Sequence, residues 1–193
     1  MKSKQYILPF KKGFSLIEML LVLGVLAVLL IAAFVIYPRV REAAQTSTEI
    51  KNISLIGVGL SNYFESKGSN YISLGESTAK TGNIFAIQSK IIPSSMIDGE
   101  ISTGGLKNSW GGEVSIFSTT DSHSGSSPGR SYGIRYYSVP SSSCVKMVTD
   151  ASTYFPSIIV SGKNVVTDHT YTMSYLMYAC NDTSNPNVTF VGH

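Results

Sequence analysis

A run of 19 residues without a charged side chain, from position 19 to 37, restricts most strongly what this chain can fold into. As a helix it would be about 28 Å long, which matches the hydrocarbon core of a bilayer. Four lysines and no acid occur among the thirteen residues at the start of the chain. By the positive-inside rule, the start of the chain stays in the cytoplasm and everything after Pro38 is exported.

The residue directly before this run is an acid, Glu18. An ionisable group at the edge of a bilayer is costly unless it has a partner, so its presence indicates a function. A cleaved secretory signal has an apolar region of only about 7 to 15 residues and a small-x-small cleavage site, which AAFVIYP does not supply. A plain signal anchor explains the apolar run but does not explain Glu18.

The sequence KKGFSLIE at positions 11–18, followed by an apolar helix, resembles the class III signal of type IV prepilins. The resemblance implies that a prepilin peptidase removes residues 1–13 by cutting after Gly13 and then methylates the amino group of Phe14. It also implies that Glu18 pairs with the amino group of Phe14 of a neighbouring subunit. Such a pair mainly specifies register, because desolvating both charges offsets much of their attraction.

Removal of this leader changes the charge of the protein. The whole chain has a formal net charge of +3, and its four leader lysines leave eleven basic against twelve acidic residues in the mature form. The mature charge of −1 therefore predicts no nucleic-acid partner.

The sequence predicts one long helix over residues 14–67. Residues 14–37 form its membrane-spanning and filament-core part, and residues 38–67 form an amphipathic part that ends before Gly68, a residue able to adopt the left-handed cap. Two helical glycines, Gly57 and Gly59, indicate either close approach of another segment or an ordinary buried helix. The residues at helical spacing in the amphipathic part are Val40, Ala43, Ala44, Ser47, Ile50, Ile53, Gly57, Leu60 and Phe64.

Residues 68–193 are predicted to form a globular headgroup. Turn residues and alternating apolar positions predict two neighbouring antiparallel strands over 111–119 and 132–139, with an exposed loop over 120–130. Further along, they predict a hairpin over 157–167 that turns at 162–164 and a last strand over 187–191. Short helices are expected behind Asn83 and after Pro140, and residues 173–180 have helical spacing although a strand is the alternative.

Two cysteines, Cys144 and Cys180, lie in the exported part, where a disulfide is expected and two unpaired buried thiols are the alternative. The resemblance places the variable D-region of a pilin headgroup between them, over residues 144–180. The sequence NSWGGEV at 108–114 is similar to a strand opening of type IVb pilins, as are the leader length and the large D-region. An aromatic residue such as Phe14 at the first mature position is more usual in the IVa class.

Nothing in the sequence predicts an enzyme, a cofactor or a metal site. The three histidines are scattered without ligand spacing, and no nucleophile, phosphate-loop or dinucleotide motif occurs. Asp98 to Glu100 is interpreted as a solvated turn rather than a calcium site. The tyrosines at 136, 137, 171, 175 and 178 are expected in half-buried sheet or interface positions, with an adhesive surface as the alternative.

These observations predict an α+β fold in which the long helix packs on an antiparallel sheet. The resemblance implies a major pilin of a type IV pilus: an inner-membrane precursor in a bacterium, then a homopolymeric extracellular filament for adhesion, aggregation or conjugation. Its implied partners are prepilin peptidase, the inner-membrane assembly machinery, membrane lipid before assembly and a host or bacterial surface receptor. The alternatives are a pseudopilin of a type II secretion system and a signal-anchored periplasmic protein.

Overall fold

The structure is a computed structural model of the 193-residue chain and describes residues 15–120 and 129–193. The predicted cleavage and methylation residues, Gly13 and Phe14, lie outside the described residues, as does most of the loop predicted over 120–130. The chain divides into two compact units between Arg41 and Glu42. The first helix, α1 (Leu16–Glu65), belongs to both units.

Helix α1 is continuous over 50 residues and includes Pro38. Its end is set by Gly68, which adopts a left-handed φ of 72°, and by the bond from the Ser69 amide to the Phe64 carbonyl at 3.0 Å. This is the hydrogen-bond pattern of a glycine-terminated helix. The helix therefore ends within two residues of the predicted position.

The headgroup contains a five-stranded antiparallel sheet in the order β1-β2-β5-β3-β4. The last strand in sequence lies at the centre, between β2 and β3, so the chain end completes the sheet. The strands are β1 (Val114–Thr119), β2 (Ser131–Tyr136), β3 (Ser157–Val160), β4 (Lys163–Thr167) and β5 (Val188–Gly192).

The hairpin of β3 and β4 turns earlier than predicted. Ser161 and Gly162 both have positive φ, as a two-residue hairpin turn requires, whereas Lys163 and Asn164 already belong to β4. The predicted turn over 162–164 is therefore wrong by one to two residues.

Three short helices surround the sheet: α2 (Thr81–Gln88), α3 (Ser141–Ala151) and α4 (Met173–Asn181). The last of these settles residues 173–180 as helix rather than strand. Helix α2 begins before Asn83, not behind it, because the Asn83 side chain forms buried long-range bonds. It donates to the carbonyls of Gly104 at 2.8 Å and Val114 at 2.9 Å and accepts from the Ile116 amide at 2.7 Å.

The core lies between the second half of α1 and the sheet. Ile53, Ile56, Leu60 and Phe64 are buried at helical spacing. Two glycines allow this packing: a Cβ at Gly57 would lie 2.8 Å from Phe155 Cζ, and one at Gly59 would lie 2.7 Å from Ile91 Cγ2. Close approach, rather than an ordinary helix interior, explains both residues.

The predicted face of α1 is wrong before Ile50. Val40, Ala43, Ala44 and Ser47 are exposed, and the residues buried in this stretch are Thr46 and Glu49. The reason is that α1 meets the headgroup here through polar groups. A prediction from apolar spacing cannot find such a contact.

Candidate assembly surfaces

The first half of α1 exposes an almost continuous apolar surface. Its described large apolar side chains, from Leu16 to Tyr37, are between 44% and 78% exposed. This is the one helix in the described part of the chain that is long and apolar enough to cross a membrane. Monomeric soluble proteins rarely expose so large an apolar surface, so this segment requires lipid or other protein around it.

Glu18 is placed by the structure in the first turn of this helix, where its amide donates to the Ser15 carbonyl at 3.0 Å. A carboxylate in the first turn is favoured by the helix dipole. Within residues 15–120 and 129–193 the ion pairs all involve other acids. Glu18 therefore offers an uncompensated charge on an otherwise apolar surface.

The polar part of α1 contacts the headgroup first through Glu42. This carboxylate accepts from the hydroxyls of Ser142 and Ser143, in the first turn of α3, with the second at 3.1 Å. Thr46, one turn further along α1, places its hydroxyl 2.9 Å from that of Ser143. The start of the D-region is thus fixed to α1 just before Cys144.

Glu49 forms the second polar contact and is 1% exposed. Its carboxylate accepts from the Ser109 amide at 2.8 Å and from the Ser109 hydroxyl, while Asn52 Nδ2 lies 3.4 Å from its other oxygen. Sequence reasoning missed this residue. The signal was its spacing of four from Ile53 and seven from Ile56, which places Glu49 on the buried face.

The loop that presents Ser109 is shaped by Asn108. The Asn108 carbonyl oxygen accepts from the amides of Trp110 at 3.0 Å and Gly112 at 2.9 Å, and its amide group donates to the Tyr137 carbonyl at 2.8 Å. Gly111 provides the positive φ, 82°, that closes the turn. The NSWGGEV segment is therefore a rigid turn before β1 that receives the Glu49 carboxylate.

The structure joins Cys144 of α3 to Cys180 of α4 by a disulfide with a Cα–Cα distance of 5.8 Å. Both cysteines are fully buried. The bridge encloses β3 and β4, which are two of the five strands. It thus fixes the D-region to the chain segment that leads into the central strand β5.

The tyrosines that were expected at half-buried positions divide into two groups. Tyr136 is fully buried, whereas Tyr175 and Tyr178 are exposed on α4. Beside Tyr178, Lys163 is hydrogen-bonded to Asp182, and this bond raises the pKa of the lysine. Asp98, in the turn considered for calcium, forms an ion pair with Lys107 at 2.7 Å.

Comparison with known proteins places this arrangement in a family. The family model described as PilS N terminal matches residues 43–193, and the prokaryotic N-terminal methylation motif matches residues 9–34. No curated protein matches the chain.

The fold is similar to two solved structures. One is the type IV b pilin from Salmonella typhi, with a TM-score of 0.57 and 25% identity over 75% of this chain and 97% of that chain. The other is TcpA, a type IV pilin from Vibrio cholerae El Tor biotype, with a TM-score of 0.60 and 13% identity over 78% and 99% of the two chains; it shows the fold alone. Since the PilS model covers more than half of the chain, the protein belongs to the PilS family of type IV pilins, in the IVb class.

Proposed function

We propose that this chain is the major pilin of a type IV pilus and polymerises through α1 into an extracellular filament. The observation that carries the proposal is the exposed apolar surface of residues 16–37, interrupted by the single carboxylate of Glu18. Lipid covers this surface in the inner-membrane precursor, and other copies of α1 cover it in the filament. Burial is favourable by about 1.5 to 3 kcal/mol for each large apolar side chain.

The processing steps follow from the sequence around Gly13. A prepilin peptidase cuts after Gly13 and methylates Phe14, which leaves residues 14–67 as the long helix and residues 68–193 as the headgroup with its D-region at 144–180. The new amino group lies four positions before Glu18. In the filament, Glu18 pairs with the amino group of Phe14 of a neighbouring subunit and so fixes the register between helices.

The filament connects the cell with a surface, another cell or a receptor on host or bacterial cells, in adhesion, aggregation or conjugation. Assembly requires the inner-membrane machinery. The headgroup, with its bridged D-region, is the part that the filament presents to its surroundings.

The proposal is tested by intact mass and N-terminal analysis of filaments sheared from cells that express the protein. We expect filaments composed mainly of a chain that begins at N-methylated Phe14. A chain that starts at Met1 and occurs only in the membrane would contradict the proposal. A processed chain present only in trace amounts beside another filament protein would instead indicate a minor pilin or a pseudopilin.

The role of Glu18 is tested by Glu18→Ala, with Glu76→Ala in the headgroup as the control for loss of one carboxylate. We expect Glu18→Ala to be cleaved after Gly13 and to remain in the membrane without forming filaments. The Glu76 variant should assemble as the parent does. Normal filaments from Glu18→Ala would show that the carboxylate has no role in assembly.

A further inference from the structure

A groove of about 610 Å³ lies at the end of α1 that is inside the headgroup. Its apolar side consists of Tyr63, Phe64, Ile72 and Phe85. The rings of Tyr63 and Phe85 are in edge contact with centroids 4.8 Å apart, and Phe64 and Tyr71 extend the same aromatic cluster. Ring packing from two elements makes this side of the groove rigid, and Tyr63 and Ile72 remain exposed within it.

The polar side of the groove consists of Lys67, Asn70 and Ser73, and it contains no acidic residue. The Lys67 ammonium lies 4.3 Å from the Tyr63 ring centroid and donates to the Tyr63 hydroxyl at 2.9 Å. In the described part of the chain, the four ion pairs are formed by other lysines. The Lys67 charge is thus available to a ligand.

A second cation, Arg130, lies beside this groove. It donates to the Gly68 carbonyl at 3.0 Å, one residue after Lys67, and is exposed. A guanidinium has five donors, so most of its hydrogen-bonding capacity remains free. The helix dipole explains why two cations are favourable at the end of α1, but it does not explain why they face an aromatic groove without acids.

We propose that this groove binds an acidic sugar unit, a pyranose that carries a carboxylate. The exposed Tyr63 ring supplies a surface for the apolar C–H face of the sugar ring. The Asn70 and Ser73 side chains supply hydrogen bonds for sugar hydroxyls. Lys67 supplies the cation for the carboxylate, with Arg130 adding to the positive potential; the volume is that of a small-molecule site.

This inference depends on the proposed filament function only for its biological use, as contact with glycans of another cell. The binding itself is a property of the headgroup and is measurable on the subunit. A subunit that binds the sugar but forms no filaments would contradict the proposed function alone. Filaments without sugar binding would contradict this inference alone.

The test uses the full chain in detergent micelles and compares glucuronic acid with glucose, which differ by the carboxylate. Binding is followed by saturation-transfer difference NMR and by titration. We expect millimolar binding of glucuronic acid that weakens as salt is added, and weaker binding of glucose. Equal binding of both sugars, or no binding of glucuronic acid, would overturn the proposal.

Three variants locate the site. Lys67→Gln should weaken glucuronic acid binding by roughly tenfold or more and remove the preference over glucose, because a charge-assisted bond is lost. Tyr63→Leu should weaken both sugars, and Lys51→Gln, an exposed lysine on the same helix, should change neither. An unchanged midpoint of chemical unfolding shows that each variant is folded. Unaltered binding in Lys67→Gln would place the sugar elsewhere.

The same titration on intact filaments distinguishes a sugar from a neighbouring subunit as the occupant. We expect filaments to bind glucuronic acid as the micellar subunit does. Binding that is present in micelles and lost in filaments would show that a second copy covers the groove, and would overturn its assignment as a glycan site.

Discussion

The carboxylate of Glu49 accepts two hydrogen bonds from Ser109, one from its amide at 2.8 Å and one from its hydroxyl, across 60 residues of sequence. Glu49 is on α1 and almost fully buried, and Ser109 is in the turn before β1. A buried charge is stable only when hydrogen-bonded, and here a backbone amide that would otherwise be unsatisfied provides the bond. The pair therefore fixes the turn to the helix.

We predict that Glu49→Ala lowers the free energy of unfolding of the headgroup by about 2 to 3 kcal/mol, because the Ser109 amide loses its buried partner. The measurement is chemical unfolding of the full chain in micelles. Ser109→Ala keeps the amide bond and should cost less, about 1 kcal/mol. Thr48→Ala, exposed on the same helix, is the control and should stay within about 0.5 kcal/mol. Equal effects of Glu49→Ala and Thr48→Ala would show that the contact does not contribute.

The elements of this fold were largely predictable from local pattern. Helical spacing located α3 and α4, alternation located β1, β2 and β5, and Gly68 located the end of α1. The processing motif around Gly13 and Phe14 stays a prediction, since both residues lie outside the described residues. These signals share one property, which is that each depends on residues close in sequence.

The polar contacts of the headgroup were not predictable in the same way. Glu49, Asn83 and Asn108 look like ordinary surface residues in sequence, yet each bonds to backbone groups that are far away along the chain or form a buried turn. Apolar periodicity does not register such pairings, which is why the face at Ala43 and Ser47 was wrong. The position of β5 between β2 and β3 is likewise a tertiary property that local pattern does not contain.

Replacement of Gly57 by alanine tests the close packing of α1. Alanine gains about 1 kcal/mol of helix propensity. Its Cβ would lie 2.8 Å from Phe155 Cζ, and overpacking in a core costs about 1 to 3 kcal/mol. We expect net destabilisation of the headgroup in chemical unfolding, because Phe155 is buried and has little room to move.

The control for this prediction is Gly24→Ala, where no atom lies within 4 Å of the added Cβ. Headgroup stability should be unchanged in that variant. Combining Gly57→Ala with Phe155→Leu should recover part of the loss, because leucine is shorter than the ring. A Gly57→Ala protein more stable than the parent would show that propensity outweighs packing.

The disulfide between Cys144 and Cys180 is predicted to stabilise the headgroup by about 4 kcal/mol through the chain entropy of the unfolded state, with a sequence separation of 36. Cys144→Ser with Cys180→Ser should lower the unfolding midpoint accordingly. Alkylation of the unfolded parent should add no mass without reductant and two adducts with it. Adducts on the unreduced parent would show that the cysteines are not paired.

Two buried tyrosines predict how stability depends on pH. Burial raises the pKa of Tyr132 to about 12 and raises that of Tyr136 well above its usual value, with the nearby Glu49 carboxylate adding to the second effect. Because the folded pKa values exceed the unfolded value near 10, the unfolded state loses protons first. Stability is then complete below about pH 10 and falls as pH rises toward 12, by about 2 to 3 kcal/mol for Tyr132.

Tyr136→Phe separates this titration from hydrogen bonding, because the Tyr136 hydroxyl has no partner among the described residues. We expect near-normal stability at neutral pH and a smaller loss between pH 10 and 12. Tyr132→Phe should flatten the same alkaline loss but also destabilise the protein at neutral pH, since its hydroxyl donates to the Gly57 carbonyl at 3.1 Å. Unfolding midpoints measured across this pH range, with exposed Tyr154→Phe as control, decide the matter: parallel curves for all four proteins would mean that neither buried hydroxyl determines the alkaline limit.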